Sequence, residues 1–151
     1  MSEGAWVLVV ALVLATGFGV YRAARDGRFR GTHPVRGVRA DETSEEPPLS
    51  VLHDTDIDHE LGERATLLQF SSAFCAPCRV TRRILQDVAE IVPGVVHVEV
   101  DAEHHLDLVR KLGVSRTPTT LILDEHGREV SRAAGAPKKD EVLATLARGL
   151  A

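Results

Sequence analysis

The sequence predicts an α/β domain, a central mixed β-sheet with helices on both faces, preceded by one N-terminal transmembrane helix. Three observations predict it. An uncharged apolar run occupies Gly4 to Tyr21. From residue 49 onward, short apolar or alternating runs suited to strands are interleaved with stretches whose apolar residues recur at helical spacing. The two cysteines, Cys75 and Cys78, fall at one strand-to-helix junction.

The 151 residues are 44% hydrophobic and 26% charged, the balance of a globular protein. A net charge of -4 and an aromatic share of 4% provide neither a basic surface nor a stacking platform, so no nucleic-acid partner is expected. A cysteine pair this close in sequence closes no long loop. It therefore reads as a redox or metal motif rather than a disulfide framework.

The elements follow in order. The Gly4 to Tyr21 run, about 18 residues, lies at the lower end of the roughly 17–25 needed to cross the hydrocarbon core. Trp6 and Tyr21 sit at its ends, where interfacial aromatics are favoured. A cleaved signal peptide competes with this reading, but Met1-Ser2-Glu3 carries no Lys or Arg and no clear cleavage site follows. Residues 1–21 are therefore expected to be an uncleaved anchor. With no cysteine there, lipid attachment to a cysteine is excluded.

Residues 22–48 read as a linker, Arg-rich and then acidic, with no apolar period and an expectation of disorder. Arg22, Arg25, Arg28, Arg30, Arg36 and Arg39 follow the span and no basic residue precedes it. Positive charge beside a span stays on the cytoplasmic side. The expected location is the cell membrane, single-pass, with the C-terminal domain in the cytoplasm. The same arginines suit anionic lipid head groups.

Residues 49–151 form the expected folded domain. Leu49 to His53 alternates like a first strand, and Ile57 to Gly62 suits a short helix. Thr66 to Ser71 is an apolar run suited to a buried strand. From Pro77 the period changes: Val80, Ile84, Leu85, Val88, Ile91 and Val92 share one helical face, stopped by Pro93-Gly94. Pro77 suits the first helical turn, where its missing N–H is not needed. Val95 to Val100 alternates as a strand. Ala102 to Leu112 reads as a helix capped by Gly113. Thr119 to Leu123 and Glu129 to Ala133 form a hairpin across Glu125-His-Gly-Arg128, and Pro137 to Leu150 closes as a helix.

The junction at the cysteines carries the chemistry. Cys75 is placed at a helix N-terminus, where backbone N–H groups and the helix dipole favour an anion. A thiolate is the attacking species, and such a position lowers a thiol's pKa. Arg79 adds positive charge nearby. Cys78, one turn on, is placed to attack a mixed disulfide formed by Cys75. A zinc site would need a second ligand pair, and His97, His104 and His105 have no common zinc spacing from the cysteines, so no metal is expected. Asp54, Asp56 and Asp58 lack the glycine and distal Glu of a calcium loop. His104 and His105 read as solvated residues opening a helix.

Phe74-Cys75-Ala76-Pro77-Cys78-Arg79 resembles the Trp-Cys-Gly-Pro-Cys-Lys motif of thioredoxins, and Gly113-Val-Ser-Arg-Thr-Pro118-Thr119 resembles that family's Gly-Ile-Arg-Gly-Ile-Pro-Thr. Asp101, Gly127 and Gly135 also match, and the resemblance extends over about residues 49–151. It implies a thioredoxin-like fold and a cis Pro118 beside the Cys75 sulfur. Substrate would be bound by Phe74, Ala76, Pro77 and Pro118, and by backbone pairing at Thr117.

The motif also departs from the family. Gln69 stands where the family has a buried Asp that helps deprotonate the inner cysteine, and His97 where it has the Lys that pairs with that Asp. Losing both is self-consistent, since either charge alone would be buried without a partner. Phe74 and Ser71 replace tryptophans. The base for Cys78 is left open between water and a carboxylate such as Glu99.

The resemblance implies a disulfide reductase acting on disulfide-containing client proteins. An electron donor would recharge it, such as a flavin-dependent thioredoxin-reductase-like protein, a low-molecular-weight thiol or another membrane protein. No tightly bound cofactor is implied. Two alternatives stand beside it: the same chemistry on an extracytoplasmic domain, and a binding module of this fold without turnover.

Overall fold

The computed structural model describes residues 3–31, 50–52 and 61–149. Its elements are α1 (Glu3–Arg25), β1 (Arg30–Gly31), β2 (Ala65–Ser71), α2 (Ala76–Ile91), β3 (Val95–Asp101), α3 (Leu106–Lys111), β4 (Thr119–Asp124), β5 (Glu129–Ala134) and α4 (Lys139–Gly149). The sheet order is β1-β5-β4-β2-β3. Among the described residues, β2 and β3 pair in parallel and the other pairings are antiparallel. The mixed sheet with helices on both faces is as expected.

β2 is central, and all seven of its residues are buried, which is why it reads as an apolar run rather than an alternation. Successive side chains still point to opposite faces. Leu67 joins Leu85, Val88, Ile122, Val142 and Leu146 in the core under α2 and α4. Leu68 and Phe70 join Val98, Val100, Leu108, Leu121 and Leu123 in the core on the α3 side. α2 is amphipathic and buries Cys78, Thr81, Leu85 and Val88 toward the sheet.

Four local expectations change. Ser50–Leu52 is a turn, not part of a strand; Leu49 and His53 lie outside the described residues. The apolar Val51 and Leu52 pack against the α3-side core, and the Val51 N–H donates to the Gly127 carbonyl. Of the expected helix at Ile57 to Gly62, only Leu61 and Gly62 are described, and neither is helical. Gly62 instead donates its N–H to Thr66 Oγ1 at 2.9 Å. The helix expected over Ala102–Leu112 begins only at Leu106. Asp101 captures the Glu103 N–H at 2.8 Å and His104 Nδ1 at 2.9 Å, and this side-chain turn displaces the first helical turn. His104 thus lies in that turn and His105 at the N-cap.

The fourth change concerns the stretch from residue 22, expected to be disordered. α1 runs on through Arg22 to Arg25. Gly27 donates its N–H to the Ala134 carbonyl, Asp26 pairs with Arg116, and Arg30–Gly31 add an edge strand to β5 opposite Arg132 and Ser131. Phe29 packs against the α2/α4 core. Apart from Phe29 these ties are polar contacts with residues far along the chain, so no hydrophobic period announces them. The rest of that stretch, residues 32–48, lies outside the described residues.

Candidate active site

β2 ends at Ser71 and α2 begins at Ala76, so the connecting residues are held at the carboxyl end of the central strand, a common place for a site in such sheets. Cys75 is the N-cap of α2, with extended backbone (φ -99°, ψ 98°). Its Sγ accepts the Cys78 N–H at 3.1 Å, using one of the donors that a helix start leaves free. Cys75 and Cys78 are joined in a disulfide, with Cα atoms 5.2 Å apart. Cys78 is 2% exposed, while Cys75 is half-buried at the surface. Phe74 is fully exposed, and Ala76, Pro77 and Arg79 are exposed beside it.

The Thr117–Pro118 bond is cis. Pro77, Thr117 and Pro118 line one groove of about 630 Å³. The Pro118 loop is pinned on both sides. Gly135 donates its N–H to the Pro118 carbonyl at 2.7 Å, and Thr119 Oγ1 donates to the Arg116 carbonyl at 2.8 Å. Ser72 Oγ lies 3.0 Å from Thr117 Oγ1 and ties this loop to the cysteine loop. Single-sequence reading missed Ser72, because a serine after a strand is an ordinary loop residue.

Beneath Cys78 lies a polar layer. Gln69 is fully buried; its Nε2 donates to the Cys78 carbonyl at 3.0 Å and its Oε1 lies 3.1 Å from His97 Nε2. Because the amide nitrogen is spent on a carbonyl, Oε1 is the acceptor and His97 donates from Nε2. Glu99 accepts from Ser71 Oγ at 2.5 Å and from Arg82 Nη2 at 2.7 Å. It lines a surface cleft with Cys75, Cys78 and Arg79. Burial pushes the Glu99 carboxyl up, but the Arg82 and Ser71 bonds outweigh it and hold the group below its ordinary value. Burial holds the His97 imidazole below its ordinary value; the Glu99 charge opposes this and the Arg82 charge adds to it. The Arg82–Glu99 pair had no sequence signal, since 17 residues separate its partners.

The arrangement offers one accessible sulfur, a second sulfur sheltered behind it, and an adjoining groove. Comparison with known proteins agrees. The family model described as Thioredoxin matches residues 49–148. The chain is similar to "Thioredoxin H-type" of Fagopyrum esculentum, 35% identical over 81 residues, covering 54% of this chain and 68% of that one. It is 28% identical over 114 residues to "Thioredoxin H1" of Arabidopsis thaliana, covering 72% of this chain and 98% of that one. Among solved structures, thioredoxin NaTrxh of Nicotiana alata superposes with a TM-score of 0.53 at 27% identity, over 59% of this chain and 76% of that one. A match over well more than half its length, carried by a paired CxxC at a strand-to-helix junction, makes this chain a member of the thioredoxin family.

Proposed function

We propose that this thiol–disulfide oxidoreductase is a membrane-tethered reductase of protein disulfides. The observation that carries it is the contrast between the two sulfurs: Cys75 at the surface on a helix N-terminus, Cys78 2% exposed one turn behind it. In the reduced chain the Cys75 thiolate attacks one sulfur of a client disulfide. A Cys75–client bond forms, the client S–S bond breaks, and one client thiolate leaves. The Cys78 thiolate then attacks Cys75 Sγ, forming the intramolecular disulfide and releasing the second client thiolate. Two electrons pass to the client, the two leaving thiolates take up protons, and an external thiol donor restores the dithiol. Arg79 contributes positive charge beside the attacking sulfur.

Gln69 cannot take the Cys78 proton, and Glu99, sharing the cleft, is paired with Arg82 and held below its ordinary value. We read this layer as a weak relay that slows resolution by Cys78. Groove residues Thr117, Pro118 and Pro77, with the exposed Phe74 and Ala76 on either side of Cys75, are assigned to the client segment.

Tethering is supported by α1. Its Gly4–Arg25 stretch is long and apolar enough to cross a membrane, and none of it is buried against the domain. The arginines that follow it favour a cytoplasmic domain. The enzyme reading is tested by insulin reduction with the full chain in detergent. Activity is expected, with loss on Cys75→Ser and accumulation of a mixed disulfide with Cys78→Ser. A chain inactive on insulin and on small disulfides would leave the binding-module reading. Labelling of a cysteine introduced at Ser44, in a variant lacking the native pair, by a membrane-impermeant reagent in intact cells would place the domain outside.

A further inference from the structure

The fold fixes where the redox groove stands relative to the anchor. α1 ends at Arg25, and the next residue, Asp26, is paired with Arg116, two positions before the cis Pro118. The same Arg116 donates from Nη2 to the Ala134 carbonyl at 2.6 Å. Gly27 is buried at φ 75°, where a Cβ would collide with the Ala136 carbonyl oxygen, so the chain leaves the helix in close backbone contact with the loop after β5. Gly31 then pairs with Ser131 on the sheet edge. Gly31 and Val51 are both tied to the folded unit, Val51 through its N–H to the Gly127 carbonyl.

The groove holding Pro77 and Pro118 is itself bordered by Ala23, Ala24 and Asp26. Next to it, sharing Asp26, Arg28 and Arg116, is a second cavity of about 450 Å³ between Tyr21 and the sheet edge. Among the described residues it is lined by six arginines and one acid, Asp26. Phe18 and Tyr21 of α1 line it too, so the last two turns of the helix flank the domain. Arg116 is paired with Asp26, Arg132 with Glu129 and Arg28, at 4.0 Å, with Glu141, which leaves Arg22, Arg25 and Arg30 at the end of an apolar span to match the phosphates of anionic head groups.

A flexible tether over residues 22–48 would let the domain wander about 30 Å from the bilayer. The tether found has one residue between helix and domain. Adding that step, the reach of Arg116 and two residues to Pro118 puts the groove within roughly 20 Å of the last helical turn.

We infer that the redox groove works against the bilayer surface, and that its clients are disulfides in juxtamembrane segments of integral membrane proteins. The inference rests on the tethered-reductase reading and names its substrate class. The chemistry is unchanged: two electrons pass from the Cys75–Cys78 dithiol to the client bond.

The test uses the pre-reduced full chain, reconstituted in phosphatidylcholine–phosphatidylglycerol vesicles, in single turnover. The probes are single-span peptides carrying one disulfide loop. In one peptide the loop directly follows the span; in the other it stands on a helical spacer of about 27 residues, roughly 40 Å out. The chain is expected to reduce the near loop about tenfold faster than the far one, through its higher effective concentration. A Gly/Ser insertion of about 30 residues between Arg25 and Asp26, which adds roughly 30 Å of reach, should bring the ratio near one. Equal rates on the two loops with the parent chain, or a ratio unmoved by the insertion, overturn the inference. Insulin, tested alongside, separates the failures. If both chains reduce it, loss of the height preference sinks only this inference. If neither does, the reductase reading falls and takes this inference with it.

Discussion

The Gln69 amide nitrogen donates to the Cys78 carbonyl at 3.0 Å, from a side chain with no solvent exposure. The inner half of the dithiol is thus fastened to the central strand by a neutral group that cannot carry a proton. Gln69→Leu strands that carbonyl and the His97 Nε2–H in the interior. It should lower folding stability by about 1–3 kcal/mol, read as a drop in urea midpoint. Gln69→Asp places a titratable carboxyl at the same point, and burial raises such a group toward the working pH. Turnover near neutral pH should rise; an equal or slower rate would count against a relay weakened at this position.

His97 and Glu99 both titrate below their ordinary values in the folded chain. For His97 the unfolded chain binds the proton more readily. Its contribution is complete above the ordinary imidazole value of about 6.5 and is lost as pH falls through the folded value. His97→Gln should flatten the fall of urea midpoint with pH in that window. Glu99→Gln should lower the His97 pKa further and Arg82→Gln should raise it, both read by NMR titration of the ring. The Glu99 contribution is present above its unfolded carboxylate range and fades on further acidification. Because Arg82 is largely exposed, removing it should weaken stability at neutral pH by less than about 1 kcal/mol.

Much of the architecture was legible because burial writes itself into periodicity. β2 is covered on both faces and reads as a continuous apolar run; α2 is covered on one and shows a helical stripe. The two cysteines were legible because few chemistries use that spacing. What the sequence hid was contact made by side-chain geometry: the Asp101 turn that shortens α3, the Ser72–Thr117 bond, and the Asp26–Arg116 pair spanning 90 residues. The Leu49–His53 alternation misled for a related reason. Val51 and Leu52 are apolar because they pack on the α3-side core, while the sheet edge was taken by Arg30–Gly31, which has no strand pattern at all.

Ser72 and Thr117 join the loop that carries the attacking sulfur to the loop that floors the groove. Ser72→Ala removes the bond but leaves Thr117 half-buried and within reach of water, so stability should fall by only about 0.5–1 kcal/mol. The larger effect should be on recognition. KM for insulin should rise several-fold with kcat nearly unchanged, while the rate on a small aromatic disulfide stays at the parent value. A matching loss on both substrates would show that the bond supports the cysteine loop alone.

The segment before residue 49 also bears on stability. Asp26 to Gly31 supplies the edge strand, the Arg116 partner and Phe29, which packs on the core with Leu67, Leu85 and Val142. A fragment from Asp26 to Ala151 keeps all three, and one from Leu49 to Ala151 loses them. Partial burial of one phenylalanine alone is worth about 1–2 kcal/mol. The shorter fragment also bares the β5 edge and leaves Arg116 without its carboxylate. It should unfold at a clearly lower guanidinium concentration, by about 2 kcal/mol or more, and associate more readily at high concentration. Matching unfolding midpoints for the two fragments would show that the segment only leans on the domain, and that the anchor is not rigidly joined to it.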